Sequence, residues 1–138
     1  MRLVWIGRAA YEVVAIADDS LRSFFDELES ADPSDGGAEQ MRAALEQDIP
    51  RNGRPTGKSR CRYLGDDIWE FKEWNVRVLW FYDAGEPTVR RRFLCTHYCR
   101  KLPKKKFQQE KRKAVRIRRV YLEDKAAGRL PPPEERRR

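Results

Sequence analysis

Apolar residues recur along the chain with two different periods, and the changes of period mark out the elements. Tyr11 to Ala17 (YEVVAIA) is β-branched and apolar, which predicts a strand buried on at least one face. Leu3 to Ile6, inside residues 1–10, fits either a short strand or an extended lead-in. Leu21, Phe24, Phe25 and Leu28 then fall at i, i+3, i+4 and i+7, the stripe of an amphipathic helix, with Asp18, Asp19 or Ser20 as N-cap. After the loop Ser30 to Gly37, Met41, Ala44 and Leu45 predict a second helix from Ala38 to about Asp48. Two successive helices predict an antiparallel pair packed on one face of a sheet. Pro50 to Ser59 reads as a basic loop suited to ligand contact.

From Cys61 onward the period is two. Cys61–Leu64, Ile68–Lys72, Val76–Tyr82 and Val89–Cys99 read as strands, separated by turns at Gly65-Asp66-Asp67, Glu73-Trp74-Asn75 and Asp83-Ala84-Gly85-Glu86-Pro87. Turns this short make consecutive strands antiparallel. Pro103 ends the last strand and suits the first turn of a helix that continues to about Ala126, with Ala114, Ile117 and Tyr121 as its narrow apolar stripe. Gly128 to Arg138 predicts a disordered basic tail. The class is α+β. An N-terminal strand and a helix pair pack on a mostly antiparallel twisted sheet, followed by a basic C-terminal helix. Residues 11–125 form the domain, 1–10 lead in and 126–138 trail.

Charge changes this picture from a fold to a partner. Residues 1–50 hold 4 basic and 11 acidic residues, a net −7, and the rest of the chain holds 26 and 11, a net +15. Such clustering favours a polyanionic partner, nucleic acid or ribosome. No run of apolar residues is long enough to span a bilayer, so no membrane partner is expected, and the chain reads as cytoplasmic. Three cysteines, an odd number, argue against a disulfide framework. Cys95 and Cys99 on one extended strand would stand roughly 13 Å apart, too far for one tetrahedral zinc, so no metal site is expected.

The candidate chemistry lies between Ile68 and Lys113. Arg77 is a cation inside an apolar strand, which is costly unless it is paired or faces an open site. It shares a face with Leu79 and Phe81, and with Glu70 and Lys72 of the preceding strand that face should open to phosphate. Guanidinium groups bind phosphate oxygens through paired donors, so Arg77 is the candidate phosphate clamp. Arg100 and Lys101, where the last strand meets the basic helix, are placed to grip successive phosphates. Lys104, Lys105 and Lys106, with Lys58 and Arg60 before the sheet, are candidate backbone contacts. Glu70 is either a general base or the ion-pair partner of Arg77 or Lys72. His97, the single histidine, is a candidate acid or base. Regular alternation puts it on the face of Phe93 and Cys95. Trp74, in a turn, is the aromatic residue expected to be exposed.

Taken in order, Ile68-Trp69-Glu70-Phe71-Lys72, Arg77-Val78-Leu79-Trp80, Arg100-Lys101, and Lys104-Lys105-Lys106 ahead of Glu110 and Ala114 resemble the motifs of the RelE/HigB toxin superfamily. The resemblance is to its phage-derived HigB-like branch and covers about Tyr11 to Leu122. It implies a RelE-like fold and the toxin of a toxin–antitoxin pair. The implied activity is a ribosome-dependent, metal-independent mRNA endonuclease (an mRNA interferase) that inhibits translation. The implied partners are mRNA on the ribosome and a HigA-like helix-turn-helix antitoxin, and no cofactor is implied. In this chain Lys72 stands where arginine is common, and the Thr-Pro that often follows the basic segment is absent. Phe107 lies near the position where several relatives carry a proton-transferring tyrosine or histidine. A non-catalytic RNA- or ribosome-binding protein on the same scaffold is the alternative.

Overall fold

The computed structural model describes residues 1–83 and 92–136. The described residues form six strands and four α-helices: β1 (Arg2–Arg8), β2 (Glu12–Ala17), α1 (Phe24–Glu29), α2 (Gly36–Ala43), α3 (Ile49–Asn52), β3 (Cys61–Gly65), β4 (Ile68–Glu73), β5 (Val76–Tyr82), β6 (Arg92–Arg100) and α4 (Lys104–Ala126). The strands form one sheet in the order β1-β2-β6-β5-β4-β3. Only β2 and β6 run parallel; the other neighbours are antiparallel. The short turns from β3 to β5 generate the antiparallel meander, as their length requires. The α1–α2 connection carries the chain from β2 to the far edge, and β6 returns beside β2. The Asp83–Pro87 turn and the start of the last strand at Val89 fall, apart from Asp83, outside the described residues.

Alternation divides the sheet into two buried faces. One holds Val13, Phe71, Val78, Trp80 and Phe93, packed on α1, α2 and the helical turn after α2 through Phe25, Leu28, Met41 and Leu45. Its centre is an aromatic stack, with Trp80 4.6 Å from Phe71 and 5.5 Å from Trp69. The other face, with Leu3, Val14, Leu79, Phe81 and Leu94, is covered by α4 through Ala114 and Tyr121. The molecule therefore has three layers, a helix pair, a sheet and one long helix, and β-strand alternation alone assigns most residues to their layer.

Four local features depart from the expectations. The N-cap of α1 is Ser23, whose hydroxyl accepts from the Phe25 N–H at 3.2 Å while Asp26 accepts from the Ser23 N–H at 2.7 Å. Asp18 and Ser20 instead build the preceding turn, where the Asp18 carboxylate accepts from Ser20 and Arg22. The second helix runs on past Asp48, through a π-helical turn (Ala44–Asp48) into α3, so Pro50 is helical. Proline has no N–H and crowds the carbonyl four residues back, and the wider π turn relieves that conflict. Residues 1–10 contain a full edge strand, whose outer side is occupied by the C-terminal segment. The Trp5 N–H donates to the Glu134 carbonyl at 2.8 Å and the Glu134 N–H to the Leu3 carbonyl at 2.9 Å. The tail, expected to be disordered, is thus placed along β1 as far as Arg136. No helix among the described residues is long and apolar enough to cross a membrane.

Candidate nucleic-acid interface

A cleft of about 580 Å³ lies between the β3–β5 end of the sheet and the first turns of α4. It exists because α4 seats late: its buried side chains are Ala114 and Tyr121, and Lys104, Lys105 and Lys106 are exposed. The sheet side is built by register. Lys72 pairs with Arg77 across β4 and β5, and Arg62 pairs with Glu70 across β3 and β4, so all four side chains share the α4 face. Lys101 closes one end, its N–H bonded to the Asn75 carbonyl at 2.7 Å. Lys104, Phe107, Gln108 and Lys111 supply the helix wall at i, i+3, i+4 and i+7.

Six cations line this space, Arg62, Lys72, Arg77, Lys101, Lys104 and Lys111, against one carboxylate, Glu70. Two of the cations are committed: Arg62 pairs with Glu70 at 3.0 Å and Lys111 with Asp66 at 3.1 Å. Lys72 donates to the Lys58 carbonyl at 3.2 Å. The Arg77 guanidinium donates to the carbonyls of Trp74 (2.6 Å) and Val76 (3.1 Å). These carbonyl contacts orient Arg77 without neutralising it, and among the described residues no carboxylate pairs with Arg77, Lys72, Lys101 or Lys104. Glu70 is 1% exposed. Its Oε1 is held by Arg62, and its buried Oε2 has no hydrogen-bond partner among the described residues. An anion entering here meets the oriented Arg77 guanidinium and the Lys72, Lys101 and Lys104 ammonium groups, with the Glu70 carboxylate buried in the wall behind them.

Glu70, Lys72, Arg77, Lys101 and Lys104 are thus brought together, with the correction that Glu70 pairs with Arg62 rather than with Arg77 or Lys72. Other predicted site residues lie elsewhere. Arg100 is on the opposite face of the sheet, bound through both guanidinium nitrogens to Asp35, the N-cap of α2, at 2.5 and 3.3 Å. That pair holds the Asp35 carboxyl below its ordinary range, the hydrogen bond to Arg100 being the largest cause. Arg100 and Lys101 therefore lie on opposite faces of the sheet, and only Lys101 lines the cleft. His97 is also displaced from its expected face. A β-bulge leaves Thr96 unpaired, so His97 pairs with Leu79 and Cys95 with Trp80. The bulge turns His97 toward α4, where its Nε2 meets Glu110 at 2.8 Å and its Nδ1 meets the Thr96 hydroxyl at 2.9 Å. Burial lowers the imidazole pKa, and the bond to Glu110 offsets this only in part. His97 does not line the cleft.

Arg60 is spent on Glu73 (2.7 Å) and Asp48 (3.3 Å). Lys58 is exposed on the loop behind β3, and Lys105 and Lys106 project from α4 away from the cleft lining. The same bulge sends Cys95 and Cys99 to opposite faces of the sheet. Burial pushes the Cys99 thiol up to about 11. Trp74 is exposed, as expected of the turn.

Sequence reasoning missed Arg62, Tyr63, Gln108 and Lys111. Arg62 was within reach: a hairpin turning at Asp66-Asp67 pairs Tyr63 with Trp69, and hence Arg62 with Glu70. Lys111 lies two helical turns beyond Lys104 and so falls on the same wall. Compared with known proteins, the chain matches no family model, and no curated protein matches its sequence.

Proposed function

We propose that the protein binds single-stranded RNA in the cleft and acts as the toxin of a toxin–antitoxin pair, cleaving mRNA on the ribosome in the manner of the RelE/HigB superfamily. The observation that carries this reading is the cleft itself: four cations without carboxylate partners among the described residues converge with a buried, half-satisfied carboxylate. The layered arrangement, a helix pair and a basic helix on opposite faces of a mostly antiparallel sheet, agrees with the RelE-like scaffold that the motifs imply. In the proposed reaction Arg77, Lys101 and Lys104 hold the phosphate oxygens and stabilise the charge of the phosphorane. The Glu70 carboxylate in the cleft wall takes the proton of the ribose 2′-hydroxyl, whose oxygen then bonds to phosphorus. The bond to the 5′-oxygen breaks, and that oxygen receives a proton from a cleft lysine. The products are a 2′,3′-cyclic phosphate and a 5′-hydroxyl. The proposed partners are mRNA in the ribosome and a helix-turn-helix antitoxin.

A second reading, an RNA- or ribosome-binding protein without nuclease activity, is favoured by one observation: no histidine lines the cleft, and His97 is occupied by Glu110 and Thr96. Inducible expression of the wild type and Arg77→Ala, with mapping of cellular mRNA 5′ ends, separates the two. Growth arrest with codon-phased cuts that vanish in the variant is the expected result. Co-sedimentation with ribosomes without any cuts would leave the binding reading standing and overturn the nuclease.

A further inference from the structure

We infer that the cleft is one half of a longer track, and that single-stranded RNA leaving it crosses the outer edge of β3 at Tyr63 and enters a second groove. The inference rests on the RNA reading above and extends it to a site which that reading leaves unassigned.

The second groove, of about 610 Å³, lies between the 54–58 loop and β3 and β4. Its cations are Arg54, Lys58 and Arg62, and no carboxylate is among the described residues that line it. It is continuous with the cleft: Arg62 and Tyr63 line both. The Lys72 ammonium in the cleft is bonded to the Lys58 carbonyl in the groove wall. β3 is the last strand of the sheet, so nothing in the sheet lies beyond this crossing point. Tyr63 is 49% exposed there. Its ring is steadied by Trp69, 4.9 Å away, and by its hydroxyl, which accepts from the Asp67 N–H at 3.1 Å. The Arg54 guanidinium is held 4.3 Å above the Trp69 ring, a contact that fixes it and leaves its charge in place. Arg60, in the same loop, is by contrast neutralised by Glu73 and Asp48.

An exposed aromatic plane between two groups of cations matches the repeat of a nucleic acid single strand, base between phosphates. A purely acidic peptide would use the cations but gain little from the ring.

The test measures binding of the full chain to labelled 2′-O-methyl oligouridylates, which resist cleavage, as a dinucleotide and as a strand of about eight nucleotides. Replacing Arg54 and Lys58 by alanine is expected to leave the dinucleotide unaffected and to reduce the log–log salt slope for the longer strand by about 1.4. Lys58→Ala alone, at an exposed side chain, should reduce it by about 0.7. Tyr63→Leu should weaken the longer strand about tenfold, and Tyr63→Phe should retain its affinity. Lys101→Ala with Lys104→Ala should weaken both ligands. If the groove variants bind the longer strand as the wild type does while the cleft variant does not, the track is wrong and the RNA reading survives. If neither ligand binds the wild type, both fall. If polyglutamate of equal length competes as well as RNA and Tyr63→Leu has no effect, the groove is a site for acidic protein segments and the track is overturned.

Discussion

Glu70 and His97 are both buried acid–base groups, and their surroundings give them opposite roles. Glu70 keeps one buried oxygen without a hydrogen-bond partner among the described residues. Glu70→Gln keeps the shape of the side chain but cannot take a proton. On the proposed reaction it is expected to lower RNA cleavage by about 10²-fold or more while oligonucleotide affinity stays within a few-fold of wild type. Loss of both in proportion would show that Glu70 only positions Arg62. His97, by contrast, is a structural joint between β6 and α4, facing Glu110 with Lys113 nearby. Its folded pKa lies below the ordinary 6.5. The unfolded chain therefore binds the extra proton first, and stability falls as the pH drops below that value. Thermal melts across this window should show the loss in the wild type and a flatter profile in His97→Gln. An unchanged profile would mean that the imidazole is not held neutral.

The C-terminal segment is more than a trailing end. Arg136 bonds to Glu29 (2.9 Å) and Glu46 (3.1 Å), lies 4.6 Å over the Phe25 ring, and is only 10% exposed. Arg2 pairs with Glu134, and Arg8 with Glu135. These contacts cover the free edge of β1, which otherwise presents unpaired backbone groups. Arg136→Ala is expected to cost about 1–2 kcal/mol, since hydrogen bonds to charged groups are the stronger class, and to lower Tm by about 5 °C. Hydrogen exchange at the Trp5 amide should rise sharply when residues 130–138 are removed, while amides of β5 stay protected. The π turn has a similar partner in Gly7. A Cβ at Gly7 would stand 2.7 Å from the Glu46 carbonyl oxygen and 2.8 Å from the Pro50 ring. Gly7→Ala should therefore destabilise the fold by about 1–3 kcal/mol in a denaturant titration, because backbone and a proline ring cannot move aside cheaply.

Across the whole molecule, charge segregated in the chain is not equally segregated in space. Folding places Asp35 against Arg100, Asp48 against Arg60, and Glu29 and Glu46 against Arg136. Part of the basic excess is thereby consumed by the acidic first third. What remains is shared between the cleft, the groove behind it and the outer side of α4, where Lys105, Lys106, Arg112, Lys113, Arg116 and Arg119 are exposed. If a bound strand neutralises about five phosphates, its affinity should fall with a log–log salt slope near −3.5. A slope near zero would remove charge as the basis of recognition.

Local periodicity made the class, the meander and the two-faced division of β4 and β5 readable from the amino acids, because side-chain direction in a strand follows from position alone. It also contained two facts that went unused: adjacent Arg100 and Lys101 must point to opposite faces, and hairpin counting sets Arg62 opposite Glu70. Three outcomes depended on contacts distant in sequence. The Thr96 bulge, whose hydroxyl donates to the Leu79 carbonyl at 3.2 Å, reversed His97 and parted Cys95 from Cys99. The seating of α4 at Ala114 rather than at its first turn left a cleft where a closed layer was equally compatible with the pattern. The acidic seat for Arg136, assembled from α1 and the π turn, gave order to a tail whose composition predicts none. Alternation is a property of neighbours along the chain, whereas a bulge, a stand-off and a seat each need a partner that only the folded chain brings near.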